Sequence, residues 1–411
     1  MIKYISAIFM ISFIITSCTN KIDHQMNTEN SDRLEITTGS FTAKYPAAAI
    51  KLLKDKINQT RYPDELSASN GQYGYPLGKL KTLLDYWANE FDFDQHLQRI
   101  NTYQQYVKEA NGFKIHFVHE KSGEDNAIPL VLLHGWPSTY LQMNKIIPLL
   151  TSKIGDVSFD VIVFSLPGYG FSDIPSQSGM AVHKMAEILH QLMVKELGYE
   201  QFVLRASDIG AGVAKEWALA YPQNILGLHL SGSSPYIYYV PENISEAEQE
   251  FVKNANGFMQ RNGAYAALHS TEPQTLAYAL NDSPAGLAAW ILQRYEGWTD
   301  HDGNLESIYT KDDLLDLLTV YWMTGTINSS MRSYFESANV YSPNAGKQVE
   351  VPTAFLMLKK DIATAPQEWE ARTYAKIVSW KENESGGHFG EWEKPQLVAE
   401  DLRAFVEKLK E

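Results

Sequence analysis

Seven short, almost uninterrupted apolar runs constrain the fold of this chain more than any other feature. They are FKIHFVHE (113–120), IPLVLLH (128–134), FDVIVFSLP (159–167), FVLRAS (202–207), ILGLHLSG (225–232), VPTAFLML (351–358) and AKIVSWKE (375–382). Strands apolar on both faces belong to a parallel sheet covered by helices on each side. Helical stretches do lie between them, at 180–198 and 212–222. The alternation predicts a doubly wound α/β domain. Two segments break it. From about 45 to 110 the pattern is mostly helical, with Leu80, Leu83, Leu84, Trp87 and Phe91 at helical spacing. From 236 to 345 it is helical again and rich in Tyr, Trp and Asn, as an insertion between two sheet strands that can act as a lid.

Composition removes several function classes. With 35 Lys+Arg against 49 Asp+Glu the net charge is −14, which repels nucleic acid and anionic lipid at long range. The single cysteine excludes an internal disulfide and any cysteine-rich metal or cluster site. The 23 Tyr, 17 Phe and 9 Trp favour a chain with an apolar pocket. No HExxH occurs, and His116 and His119 point to opposite faces of a strand, so no metal site is expected. GYGFS lacks the spacing of a dinucleotide fingerprint.

The first residues carry one cation, Lys3, followed by an apolar run from Tyr4 to Thr16. That run is too short to span a bilayer and suits the apolar part of a signal peptide. Its end, Ile15-Thr16-Ser17-Cys18, resembles the lipobox of bacterial lipoproteins, in which the cysteine receives the lipid. A plain secretory signal is the alternative. The expected layout is a signal at 1–17, a polar tether at 18–40, an extension at 41–120, a core at 121–235 and 346–411, and a lid at 236–345. The mature chain, without Lys3, carries −15. Its expected location is the bacterial cell envelope, anchored to a membrane through Cys18 and facing the periplasm or exterior.

In an open parallel sheet, functional groups gather at the carboxyl ends of strands. FVLR runs into Ala206-Ser207-Asp208-Ile209-Gly210 and then a helix. A tight strand-to-helix turn needs small residues at −2 and +2 from the nucleophile. Centred on Asp208 these are Ala206 and Gly210; centred on Ser207 they are Arg205 and Ile209. The turn therefore presents a carboxylate, which disfavours a serine esterase. Taken alone, Asp208 also reads as a cap of the following helix. LVLL ends in His134-Gly135-Trp136-Pro137, so the Trp136 N–H can pair with that of Ile209 as an oxyanion hole. His134 reads as a turn-supporting residue. TAFLML is followed by Asp361, and two glycines precede His388. The chain order of acid, second acid and histidine is that of α/β-hydrolases, with aspartate in place of serine.

These motifs together resemble the microsomal type of epoxide hydrolase. The extension is similar in Tyr73-Gly74-Tyr75-Pro76-Leu77, Leu80-Lys81, Asp85-Tyr86-Trp87 and Gly112-Phe113-Lys114-Ile115-His116-Phe117. The core is similar in HGWP (134–137), Leu166-Pro167-Gly168-Tyr169-Gly170-Phe171-Ser172 and Gly386-Gly387-His388-Phe389. The lid is similar in Leu280-Asn281-Asp282-Ser283-Pro284 and Tyr321-Trp322-Met323-Thr324-Gly325-Thr326-Ile327. The family's Gly-Gly-Asp elbow is Ala206-Ser207-Asp208 here. The resemblance implies an α/β-hydrolase fold with a helical lid and a helical N-terminal extension. It also implies a small apolar epoxide as substrate and two lid tyrosines facing the nucleophile, matched to Tyr265 and Tyr334.

The residue types suit that reaction. A carboxylate is ionised at neutral pH without a base, and phenols remain neutral donors to a developing alkoxide. His388, oriented by Asp361, would activate water against the ester formed on Asp208. No cofactor is needed. A haloalkane dehalogenase shares the fold and the aspartate, but often places tryptophan after the nucleophile, where Ile209 stands. A non-catalytic ligand-binding lipoprotein is the reading from another class, and the sequence leaves a homodimer open.

Overall fold

The computed structural model describes residues 34, 36–67 and 71–411. Cys18, the signal and most of the tether lie outside the described residues. The strands are β1 (Gly39–Phe41), β2 (Gln105–Ala110), β3 (Phe113–Glu120), β4 (Ile128–Leu133), β5 (Phe159–Phe164), β6 (Phe202–Ser207), β7 (Ile225–Ser231), β8 (Thr353–Leu358) and β9 (Ile377–Asn383). They form one sheet in the order β1-β2-β3-β5-β4-β6-β7-β8-β9. Pairing is antiparallel from β1 to β3 and between β3 and β5, and parallel from there to β9. All six residues of β6 and of β8 are buried, as expected of central strands covered on both faces.

All seven apolar runs are strands, and two further strands precede them. Gly39 and Ser40, at the end of the stretch expected as tether, pair with Val107 and Tyr106. The stretch 105–110, expected within a helical region, is β2. Its burial hides from a hydropathy pattern because Gln105 is buried and hydrogen-bonds His116 from the neighbouring strand, at 2.7 Å.

The helix Leu77–Asn89 buries Leu80, Leu83, Leu84, Trp87 and Ala88 along one stripe. Each large side chain on it contributes about 2 kcal/mol of burial. Phe91 lies just past the helix end and is buried there. Trp87 also donates from its indole N–H to Thr319 Oγ1 at 3.0 Å, tying the extension to the lid. Between β7 and β8 the lid is built of six helices, Glu246–Asn262, Ala264–Thr271, Pro273–Leu280, Pro284–Trp298, Lys311–Thr324 and Ile327–Asn339. Ser245 with Glu248, and Thr310 with Asp313, form capping boxes that start two of them. Among the described residues no helix is long and apolar enough to cross a membrane.

The sheet order places β4 between β5 and β6, so successive connections leave in opposite directions at β4. Leu133 at the end of β4 is in register with Ala206 near the end of β6. The loops that follow these two strands therefore lie side by side, where an open α/β sheet offers its crevice.

Candidate active site

Asp208 is the first residue of the helix Asp208–Ala220 and has φ of +50°. A non-glycine residue in this left-handed region is strained by about 1 kcal/mol, and such strain gathers where a side chain must be presented sharply. The neighbours are small because nothing larger fits. A Cβ on Gly210 would lie 2.5 Å from the Leu133 carbonyl oxygen, and one on Gly135 would lie 2.1 Å from Asp208 Oδ1.

The two oxygens of Asp208 have different partners. Oδ1 accepts from the Trp136 backbone N–H at 2.8 Å. Oδ2 lies 3.4 Å from His388 Nε2. The Ile209 N–H sits in the first helical turn, where an amide has no acceptor within its own helix. His388 Nδ1 is 2.7 Å from Asp361 Oδ1, and Asp361 Oδ1 also accepts from the Ile362 N–H at 2.6 Å. Gly232, at the end of β7, makes room for this carboxylate, since a Cβ there would meet Asp361 Oδ2 at 2.4 Å. Asp208, Asp361 and His388, read separately from three strand ends, thus converge. Burial works against a charge on His388, but the Asp361 and Asp208 carboxylates outweigh it and hold the imidazole pKa well above its usual range.

The two glycines before His388 have a measurable purpose. Gly386 has φ of +101°, and a Cβ on Gly387 would lie 2.4 Å from the Trp298 carbonyl oxygen. The His388 N–H then donates to that carbonyl at 2.8 Å, fastening the loop to the end of the lid helix Pro284–Trp298. Glu393 secures it further and was not singled out in the sequence. Its carboxylate accepts from the backbone N–H groups of Gly387, Phe389 and Asp300, at 2.8 to 2.9 Å. Beneath the elbow, Arg205 on β6 is paired with Glu391 at 2.8 Å, both fully buried, and donates to Ser231 at 2.8 Å.

Tyr265 and Tyr334 come from separate lid helices and meet with ring centroids 6.0 Å apart. The Trp136 indole stacks on Tyr265 at 5.4 Å and meets Tyr334 edge-on at 6.0 Å. The loop that supplies the Trp136 N–H to Asp208 therefore also touches both phenols. Burial, and then the charge of Asp208, raises the pKa of Tyr265, while burial and Tyr265 raise that of Tyr334, so both are neutral donors. The Tyr265 hydroxyl is 3.0 Å from that of Tyr236, a tyrosine that sequence reasoning passed over.

His134 has a structural place. Nδ1 lies 3.0 Å from the Gly135 carbonyl oxygen, and Nε2 accepts from the Leu166 N–H at 3.3 Å, joining the ends of β4 and β5. Burial pushes its pKa down to about 4, so it is neutral. His116 and His119 have separate partners, Ser165 with Gln105 and Tyr199 respectively. A cavity of about 750 Å³ lies between the extension and the lid beside Tyr62, Tyr75 and Ala289. It contains no member of the triad, so the site is located by chemistry and not by cavity size.

Comparison with known proteins gives two family matches. Residues 38–143 match the epoxide hydrolase N terminus, and residues 128–304 match the alpha/beta hydrolase fold. Epoxide hydrolase 1 of Sus scrofa is 34% identical over 389 residues, covering 86% of this chain and 85% of that protein. Among solved structures, juvenile hormone epoxide hydrolase from the silkworm Bombyx mori is 29% identical with a TM-score of 0.84, covering 92% of this chain and 95% of that one. Aspergillus niger epoxide hydrolase is 28% identical with a TM-score of 0.80, covering 92% of this chain and 98% of that one.

Proposed function

The chain belongs to the epoxide hydrolase family and hydrolyses epoxides, and from that premise we propose that Asp208 is its covalent nucleophile. The observation that carries this reading is the division of labour on one carboxylate. Oδ1 is held by the Trp136 N–H, which leaves the more loosely held Oδ2, 3.4 Å from His388 Nε2, to attack. Oδ2 bonds to an epoxide carbon, the ring C–O bond breaks, and the released oxygen is protonated from the Tyr265–Tyr334 pair. Oδ1 becomes the carbonyl oxygen of the ester.

Once esterified, Asp208 no longer carries the charge that helps hold His388 protonated. The imidazole pKa falls, the ring releases that proton to solvent until the Asp208 charge is restored, and the neutral His388 takes a proton from water as that water attacks Cγ. Asp361 keeps the ring oriented and stabilises its cation. The tetrahedral oxyanion forms at Oδ1, which the Trp136 N–H already holds, and the Ile209 N–H, without an acceptor in its own helix, would be its second donor. Collapse expels the diol and restores the acid. The same carboxylate charge thus serves first as nucleophile and then, by its loss, as the trigger for the base. The substrate is a small apolar epoxide, in keeping with a site walled by Trp136, Trp298 and the tyrosines.

With ¹⁸O-labelled water in a single turnover, label is expected in the Asp208 carboxylate and not in the diol. Asp208→Asn removes alkylation, and His388→Gln lets the ester accumulate, detectable as added mass on the peptide carrying residue 208. Label entering the diol in the first turnover would sink the covalent route.

We further propose that Cys18 is lipidated and holds the enzyme at a membrane of the bacterial cell envelope, facing the periplasm or exterior. Support comes from the Ile15-Thr16-Ser17-Cys18 pattern behind a short apolar run. A net charge this negative gives no electrostatic attraction to anionic lipid, so the anchor would have to be covalent. Cys18→Ala is expected to move the protein from the detergent phase to the aqueous phase. Unchanged partitioning of that variant removes the proposal.

A further inference from the structure

The two lid tyrosines are not equivalent. Three tyrosines follow β7 within Pro235–Val240. Tyr238 and Tyr239 are 89% and 72% exposed, whereas Tyr236 is turned inward. Its hydroxyl is 3.0 Å from the Tyr265 hydroxyl. Each phenol has one proton. When Tyr265 points its proton at the epoxide oxygen, Tyr265 can only accept from Tyr236. The bond then strengthens as charge grows on Tyr265, because hydrogen bonds to an ionised acceptor are roughly twice as strong as neutral ones.

A cation stands over the same ring. The Arg294 guanidinium lies 5.2 Å from the Tyr265 ring centroid and 5.9 Å from that of Trp298. Among the described residues no carboxylate or other hydrogen-bond acceptor pairs with it, and its Nε is buried. Its charge is therefore not cancelled by a neighbour. Tyr334 makes no such bond to Tyr236; its own hydroxyl interaction is with Tyr265, whose pKa it also lowers, whereas Tyr265 raises that of Tyr334 in return. The Tyr236 hydrogen bond, then the Arg294 charge and the Tyr334 hydrogen bond, oppose the burial and the Asp208 charge that raise the Tyr265 pKa.

We infer that Tyr236 is a positioning residue that makes Tyr265, and not Tyr334, the group that surrenders its proton to the epoxide oxygen. This rests on the covalent reading above. Asp208 Oδ2 forms the C–O bond as the ring C–O bond breaks, and the Tyr265 proton passes to the released oxygen. The resulting phenolate is held by the Tyr236 hydroxyl and faced by Arg294. In the second half-reaction the water proton reaches the departing diol oxygen through His388. The proton left on the Asp208 carboxyl returns to Tyr265, and the cycle closes without a further reactant.

The test is a double-mutant cycle read on the alkylation step. Full-length His388→Gln protein is mixed with styrene oxide, and the rate of ester formation is followed by quenched-flow mass spectrometry. Adding Tyr236→Phe is expected to slow alkylation about tenfold to a hundredfold, the range for a hydrogen bond to a charged group. The same change on top of Tyr334→Phe should cost the same factor. On top of Tyr265→Phe it should cost less than twofold, since the coupling belongs to that pair. With His388 intact, Tyr236→Phe should leave the hydrolysis rate of the ester unchanged. Arg294→Met should slow alkylation and Arg294→Lys should restore it. An equal loss from Tyr236→Phe on the Tyr265→Phe and Tyr334→Phe backgrounds overturns the inference. So does a parallel fall in both half-reactions, which marks a packing defect. If His388→Gln alone gains no ester, the covalent reading itself fails and this one falls with it.

Discussion

Asp208 shows how one residue's backbone sets the chemistry of its side chain. Its φ of +50° turns the chain so sharply that the carboxylate stands clear of its own helix and faces both the Trp136 N–H and His388. The strain is tolerated because β6 and the following helix fix both ends of the turn. The demand for small neighbours at −2 and +2 is local, so Ala206 and Gly210 are legible in sequence. Gly135 belongs to a different strand end, and its necessity is not. Gly135→Ala would set a methyl group 2.1 Å from Asp208 Oδ1 and 2.5 Å from Asp208 Cβ. The loop or the nucleophile must then shift by more than an ångström. We expect kcat/KM to fall at least about a hundredfold, as misplacement of that size does, while the protein remains folded by circular dichroism. Activity within twofold of the parent would contradict this account of the elbow.

Elements were legible wherever burial and hydropathy agree. All seven apolar runs became strands, and for β4 to β8 the reason is that parallel strands covered on both faces need apolar residues at nearly every position. The two strands that escaped notice break that agreement. β1 is three residues long, too short to carry a period. β2 buries Gln105, whose amide is satisfied by His116 on β3 and by the Ile100 carbonyl, so a polar residue occupies a core position. The long helix expected over 180–198 is an α-helix only to Gln191 and closes with a π turn over Leu192–Glu196. Glu393 escaped for a related reason. Its partners are the backbone amides of Gly387, Phe389 and Asp300, and an amide has no letter in the sequence.

Burial of histidines gives the whole molecule a pH dependence. Burial pushes the pKa of His116 and of His269 down to about 3, and that of His134 to about 4. Each is neutral when folded, yet would bind a proton near pH 6.5 when unfolded. The unfolded state therefore takes up more protons below that pH, and stability rises with pH across the interval. Their contribution is complete above about pH 6.5 and is lost as pH falls from there toward 3 to 4. Each site weighs about 1.4 kcal/mol per pH unit once below its unfolded pKa. His388 acts in the opposite sense. Its raised pKa gives stability that is complete below about pH 6.5 and lost as pH rises through the folded value. Burial also lowers the pKa of His119, His190 and His229, so one raised group against six lowered ones leaves the acid side weaker. The urea midpoint is expected to drop steeply between pH 6.5 and 4.5; a flat midpoint over that interval would refute the assignment of three neutral buried histidines.

The sequence by itself determined the class of sheet, the turn that presents the Asp208 carboxylate and the chain order of Asp208, Asp361 and His388. Each of these rests on short-range requirements: strand periodicity, the small neighbours of one turn, and the placement of polar residues at strand ends. The tertiary structure alone decided how the two Asp208 oxygens are partnered, that Glu393 anchors the histidine loop, and that Tyr236 meets Tyr265. The physical reason is that these contacts join groups far apart along the chain or, for Glu393 on Gly387 and Phe389, fall on backbone amides that no residue type records. The Trp136 N–H reaches Asp208 across 72 residues, and Tyr236 reaches Tyr265 across 29. Local propensity carries no record of such meetings, which exist only once the sheet and the lid have closed on one another.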